Sequence, residues 1–271
     1  MNEHIAFIGG GNMASALISG LLGKGFTAAQ IAVVEPFDEA RIKLKSSFGI
    51  TAMAEPGDAL AQATLVVWAV KPQSFKDAAL QTHASTGNAL HLSVAAGITS
   101  DSIARWLGTQ RVVRAMPNTP ALIGKGITGL FARPAVTLAD RQAVESVIAT
   151  TGEWLWLDAE AQLDGVTALS GSGPAYMFYF MEAMTEAGAQ MGLSREQAHK
   201  LAVATFIGAG ELARASTEPP EVLRQRVTSK GGTTYAAITS MEGSQVKELF
   251  IKALHAAQVR AAQMGKEFGG G

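Results

Sequence analysis

Hydrophobic positions follow two regimes along this chain. Up to about residue 160, short apolar runs alternate with stretches of helical periodicity; beyond it only the helical periodicity remains. The runs 5–8, 31–34, 65–70, 89–94, 111–115, 127–131 and 154–157 have the length of buried strands. A helix starting near Asn12 puts Ala14, Leu17, Ile18 and Leu21 on one face, at i, i+3, i+4, i+7 spacing. Further helical segments are predicted over 59–63, 73–84, 99–108 and 137–149. Strands alternating with helices predict an α/β half with a mostly parallel, doubly wound sheet. The remainder reads as helices over 159–168, 173–191, 194–215, 220–226, 233–241 and 243–266. The expected division is therefore an α/β domain over 1–159 and an all-α domain over 160–271.

Two of the later helices are too apolar for a monomer surface. Tyr176–Met181 (YMFYFM) is six large apolar or aromatic residues in succession, and Leu201–Leu212 is apolar nearly all round. A helix apolar on every face has to be covered. A symmetric helical dimer is the simplest cover, with a compact monomeric bundle as the alternative.

Composition narrows the chemistry. The 271 residues contain no cysteine, which excludes disulfides, thiol nucleophiles and cysteine-bound metals. A net charge of −1 offers no electrostatic footprint for nucleic acid or an anionic membrane. The five histidines show no metal-ligand spacing, so no metal site is expected. No apolar stretch reaches transmembrane length and the N-terminus lacks a basic leader, so a soluble cytoplasmic protein is expected.

Candidate chemistry starts where the first strand ends. Gly9, Gly11 and Ala14 fit G-x-G-x-x-A between a strand and a helix. Gly9 permits the tight turn, Gly11 lets backbone approach a pyrophosphate, and Ala14 lets the helix pack against the strand. The helix start at Asn12 and Met13 offers free N–H groups and a favourable dipole to phosphate. A glycine-rich turn with no ligand is the plainer reading of the motif taken alone. Glu35 ends the second strand, 24 residues after Gly11 and 21 after Ala14. An acid near that spacing takes ribose hydroxyls; a solvated carboxylate at a strand end is the alternative. Glu35 disfavours a 2′-phosphate, whereas Arg41, Lys43 and Lys45 just beyond it favour one. The segments 9–11, 71–72, 95–97 and 116–120 all lie at the carboxyl ends of expected strands, where open α/β sheets bind ligands.

A second unusual stretch is 227–235, VTSKGGTTY, in which hydroxyl residues and Gly231-Gly232 lead into a helix. Exposed N–H groups at such a start suit a small carboxylate. An N-cap with a glycine-rich loop explains the same spacing. No carboxylate or histidine pair for acid–base work lies nearby, which suits hydride transfer, where positioning matters more than a strong acid.

Taken together, 8–14 (IGGGNMA), 70–72 (VKP), 114–120 (RAMPNTP), 169–176 (LSGSGPAY) and 227–234 (VTSKGGTT) resemble the pyrroline-5-carboxylate reductases over nearly the whole chain. The resemblance implies a Rossmann-type domain followed by a helical dimerisation domain, often within a larger ring, and reduction of 1-pyrroline-5-carboxylate to L-proline. It implies NADPH as the cofactor, with NADH as the alternative. By similarity Gly9, Gly11, Asn12 and Met13 hold the pyrophosphate. Ala69, Val70, Lys71, Pro72, Ala95, Ala96 and Gly97 line the ribose and nicotinamide, bordered by Met116, Pro117 and Asn118. Ser229, Gly231, Gly232 and Thr233 take the substrate carboxylate, and Thr234 bonds the imine nitrogen. The chain departs from the family pattern at Lys230, where proline is common, and at Tyr235, where an aliphatic residue is common. Two other readings are a hydroxyacid dehydrogenase of similar architecture and a non-catalytic dinucleotide sensor. The first needs a catalytic lysine that 169–176 lacks, and the second has no use for a pocket at 229–234.

Overall fold

The computed structural model describes residues 4–269, and the expected elements form in the expected order. The first part contains β1 (Ile5–Ile8), α1 (Asn12–Gly23), β2 (Ile31–Val34), α2 (Asp38–Phe48), β3 (Leu65–Trp68) and α3 (Pro72–Thr86). It continues through β4 (Leu90–Ser93), α4 (Ser100–Leu107), β5 (Val112–Met116), β6 (Gly126–Ala132), α5 (Leu138–Ile148) and β7 (Gly152–Trp156). Helices follow: α6 (Gln162–Val166), α7 (Gly173–Gln190), α8 (Arg195–Ala215), α9 (Pro220–Arg226), α10 (Thr233–Gly243) and α11 (Val246–Gly269).

The seven strands make one sheet in the order β2-β1-β3-β4-β5-β6-β7. β1 to β5 are parallel neighbours, whereas β6 runs antiparallel to β5 and carries β7 parallel to itself. The reversal follows from the connection. Only a short 3-10 turn at Thr119–Ile123 joins β5 to β6, and a parallel return needs a longer crossover. The segment expected as a helix at 59–63 is a 3-10 turn at Asp58–Gln62. The third strand stops at Trp68, so that Ala69 and Val70 belong to the loop beyond it.

Period-two alternation sorts the strand residues into two cores. Ile5, Phe7, Leu65 and Val67 pack with Leu17, Ile18 and Leu21 of α1 and Val144 and Ile148 of α5. Ala6, Ile8, Val66 and Trp68 pack on the other face with Phe75 and Ala79 of α3 and Ile103 and Leu107 of α4. With both faces covered, the central strands read as unbroken apolar runs.

The chain divides into two compact units. The first runs to Ser172 and resumes at Ala257; the second is Gly173–Ala256. Thus α6 and the π-helical turn after it (Thr167–Gly171) belong with the sheet, and α11 begins in one unit and ends in the other. Within the second unit, α7 and α8 approach closely at Gly188, where an added Cβ would stand 2.7 Å from that of Ala198. Phe250 meets Tyr176 and Phe180 edge-on at 5.8 and 5.6 Å. No described helix is long and apolar enough to cross a membrane.

Candidate active site

The glycine turn after β1 is built by three different constraints. Gly9 has φ +96°, and a Cβ there would lie 2.7 Å from the Ala69 carbonyl oxygen, so both backbone conformation and close approach demand glycine. At Gly10 a Cβ would meet Leu44 Cδ1 at 2.6 Å, and the Gly10 N–H donates to Glu35 Oε2 at 2.7 Å. At Gly11 nothing in the protein lies within 4 Å of that position. Gly11 therefore leaves open space directly before the uncapped start of α1, where no acidic side chain stands in the first turn. The first N–H groups of a helix have no partners inside it, and here they face an approachable surface. Ala14, fully buried, lets α1 close onto the sheet.

The other expected cofactor residues gather along the same sheet edge. Gly9, Glu35, Ala69 to Pro72, Ala95 to Gly97 and Met116 to Asn118 follow the carboxyl ends of β1 to β5, which are neighbours in space. The strand order changes direction around β1, and ligands of doubly wound sheets bind beyond the strand ends at such a point. Lys71 is the N-cap of α3 with Pro72 as its first helical residue, an arrangement that leaves no N–H wasted. Gly97 has φ +73° and packs under Met264 of α11.

Spacing alone placed Glu35 without orienting it. Its side chain turns inward, 6% exposed, with Oε2 on Gly10 N–H and Oε1 accepting Phe37 N–H at 2.9 Å. Arg41 donates to the carbonyls of Glu35 and Pro36 at 2.9 and 2.7 Å and pairs with Asp38.

Beyond β5, two motifs far apart in sequence meet. Asn118 Oδ1 accepts Ile127 N–H at 3.0 Å, and its Nδ2 donates to Ser170 Oγ at 3.2 Å. Gly171 lies against the end of the Met116 side chain, whose terminal methyl would have to move to admit a Cβ there. Ser170 and Gly171 occupy the π-helical turn, a distortion that often marks functional positions. Sequence reasoning missed a partly buried charge network beside this region. Glu160 accepts Arg114 Nη1 at 2.7 Å, and its two oxygens accept Ser100 N–H at 2.6 Å and Ser100 Oγ at 2.5 Å. An arginine inside an apolar strand was the available signal. Burial raises the nearby Asp164 carboxyl above its ordinary range, Arg114 opposing the rise and Glu160 adding to it.

The residues expected to hold a carboxylate lie in the second unit. Gly231 has φ +79°, and Gly232 is the N-cap of α10 with no side-chain bond. Gly232 N–H already donates to the Ser229 carbonyl at 3.0 Å, closing the turn. What remains for an anion is the exposed Ser229 hydroxyl and the N–H groups of Thr233 and Thr234 at the start of the helix.

Comparison with known proteins gives this geometry a setting. Residues 160–264 match the family model described as pyrroline-5-carboxylate reductase dimerisation, and residues 4–97 match NADP oxidoreductase coenzyme F420-dependent. A Pseudomonas aeruginosa protein named pyrroline-5-carboxylate reductase is 46% identical over 268 residues, covering 98% of each chain. The structure of a pyrroline-5-carboxylate reductase from Coxiella burnetii superposes with a TM-score of 0.90 at 39% identity, covering 98% of this chain and 100% of that one. The Plasmodium falciparum pyrroline carboxylate reductase with NADP bound gives 0.87 at 27% identity, covering 97% and 98%.

Proposed function

The chain belongs to the pyrroline-5-carboxylate reductase family, and from that premise we propose that it reduces 1-pyrroline-5-carboxylate to L-proline with NAD(P)H, the last step of proline biosynthesis. The observation that carries the reading is a pair of uncapped helix starts. One, at α1, follows a glycine turn open at Gly11; the other, at α10, follows Ser229 and two glycines. Each suits an anion, a pyrophosphate in the first case and a small carboxylate in the second.

The residues present fit a dinucleotide. Gly9, Gly11, Asn12, Met13 and Ala14 hold the pyrophosphate, Ala69 to Pro72 and Ala95 to Gly97 line the ribose and nicotinamide, and Met116 to Asn118 border the ring. Bound NAD(P)H supplies the hydride. Ser229 and the start of α10 anchor the substrate carboxylate, and the Thr234 hydroxyl bonds the ring nitrogen. A cyclic imine protonated by solvent is already electrophilic at carbon, so the chain has to orient the ring and exclude water. NADPH is the inferred donor, supported by the bound NADP of the Plasmodium relative and by Arg41 beside the end of β2. The inferred compartment is the cytoplasm, where reduced nicotinamide cofactors are available.

The test is oxidation of NADPH and of NADH by the purified protein on addition of pyrroline-5-carboxylate. Oxidation is expected with both, faster with NADPH. Cofactor binding without oxidation of either would refute the proposal.

A further inference from the structure

Glu35 stands where an acid usually reads the ribose of a dinucleotide, yet its carboxylate is committed elsewhere. It is 6% exposed, and its two oxygens accept the N–H groups of Gly10 and Phe37 at 2.7 and 2.9 Å. Its own N–H donates to the Met53 carbonyl at 2.8 Å, and its carbonyl accepts from Arg41. Its Cβ and Cγ both lie 3.4 Å from where a Cβ on Gly10 would stand, with Leu44 closing the other side. The side chain therefore clamps the middle residue of the glycine turn against the corner between β2 and α2.

We propose that Glu35 is a positioning residue, which holds the turn so that Gly11, Asn12 and Met13 present their N–H groups to the pyrophosphate, and that it does not discriminate between a 2′-hydroxyl and a 2′-phosphate. Hydrogen bonds from N–H groups to an ionised carboxylate are among the strong ones. Swinging the carboxylate out to a ribose would strip the buried Gly10 N–H of its acceptor, and a buried donor left unmade is expensive. The choice between NADPH and NADH then falls to exposed groups of the same corner, not to the negative charge of Glu35. The inference rests on the reading that this turn binds the cofactor pyrophosphate.

Three measurements on the full-length protein test it, with Glu35→Ala and Glu35→Gln beside wild type. Titration of each reduced cofactor against intrinsic tryptophan fluorescence gives the two Kd values. Both are expected to rise together in Glu35→Ala, by about tenfold, with their ratio held within about twofold. Glu35→Gln keeps one acceptor oxygen and is expected to recover part of the affinity for both. In turnover, KM for each cofactor should rise while kcat at saturation changes little. Hydrogen exchange at the Gly10 amide of cofactor-free protein should quicken in Glu35→Ala. A change of tenfold or more in the NADPH-to-NADH ratio would overturn the proposal, and so would unchanged Gly10 exchange in both variants. Wild-type protein that binds neither cofactor would refute the functional reading instead, and Gly10 exchange would still decide whether the clamp exists.

Discussion

Single residues divide by whether their role depends on backbone or on side-chain direction. Gly9 was legible because positive φ and close approach to backbone leave no alternative residue type. Glu35 was legible in place but not in direction, because its partners are backbone N–H groups at Gly10 and Phe37 that spacing does not reveal. Thr234 is assigned to the imine nitrogen through the resemblance. Thr234→Ala is expected to lower kcat about ten- to hundredfold, the worth of one hydrogen bond to a charged group, with the Kd for NADPH unchanged by fluorescence titration. His91 is buried, its Nδ1 accepting the Trp68 indole N–H at 3.1 Å. Burial, above all, lowers its pKa from 6.5 to about 4. The folded value lies below the unfolded one, so this contribution is full above about pH 6.5 and is lost as pH falls through about 4. The loss amounts to about 3 kcal/mol. Urea unfolding across that range is expected to show a steeper decline for wild type than for His91→Gln, which keeps an acceptor for Trp68 without a titrating group. Parallel declines would contradict it.

At the scale of elements, the periodicity found every strand and most helices, because amphipathic and buried runs are local properties of the chain. The final two strands were found as strands, but their orientation depends on the shortness of the link between β5 and β6. The helix predicted over 159–168 is followed in the structure by a π-helical turn, Thr167–Gly171, whose neighbours Met116 and Asn118 lie far off in the chain, 52 positions for Asn118 and Ser170, where local periodicity does not reach. For the link from Glu160 to Arg114 and to the first turn of α4, the sequence offers Arg114 within an apolar strand but not its partners. The link joins β5, the start of α4 and the turn before α6, which only the folded chain brings together. Arg114 is 8% exposed, so removing its partner leaves an uncompensated buried charge. Glu160→Ala is therefore expected to destabilise the protein by about 3 kcal/mol, measured as a lower urea midpoint with an unchanged slope. A loss under about 0.5 kcal/mol would show the pair to behave like an exposed one.

At the scale of the whole molecule, the helical unit is unfinished as a single copy. Phe178, Tyr179, Ile207 and Leu212 are between 60 and 71% exposed, which water does not favour for side chains of this size. The chain carries a dimerisation region and the protein is a homodimer, and a symmetric second copy is the cover that such apolar faces call for. The same over-apolar runs were visible in sequence as helices with no polar face. Sequence alone assigned the two helix starts proposed to bind anions to different domains, and a reductase needs both. One measurement bears on that directly. The protein is given pyrroline-5-carboxylate and NADPH carrying deuterium at both positions of nicotinamide C4, and the proline formed is analysed by mass spectrometry and NMR. Proline with a single deuterium at its C5 is the expected result. Unlabelled proline, or oxidised cofactor with no proline at all, would contradict direct hydride transfer to the bound imine.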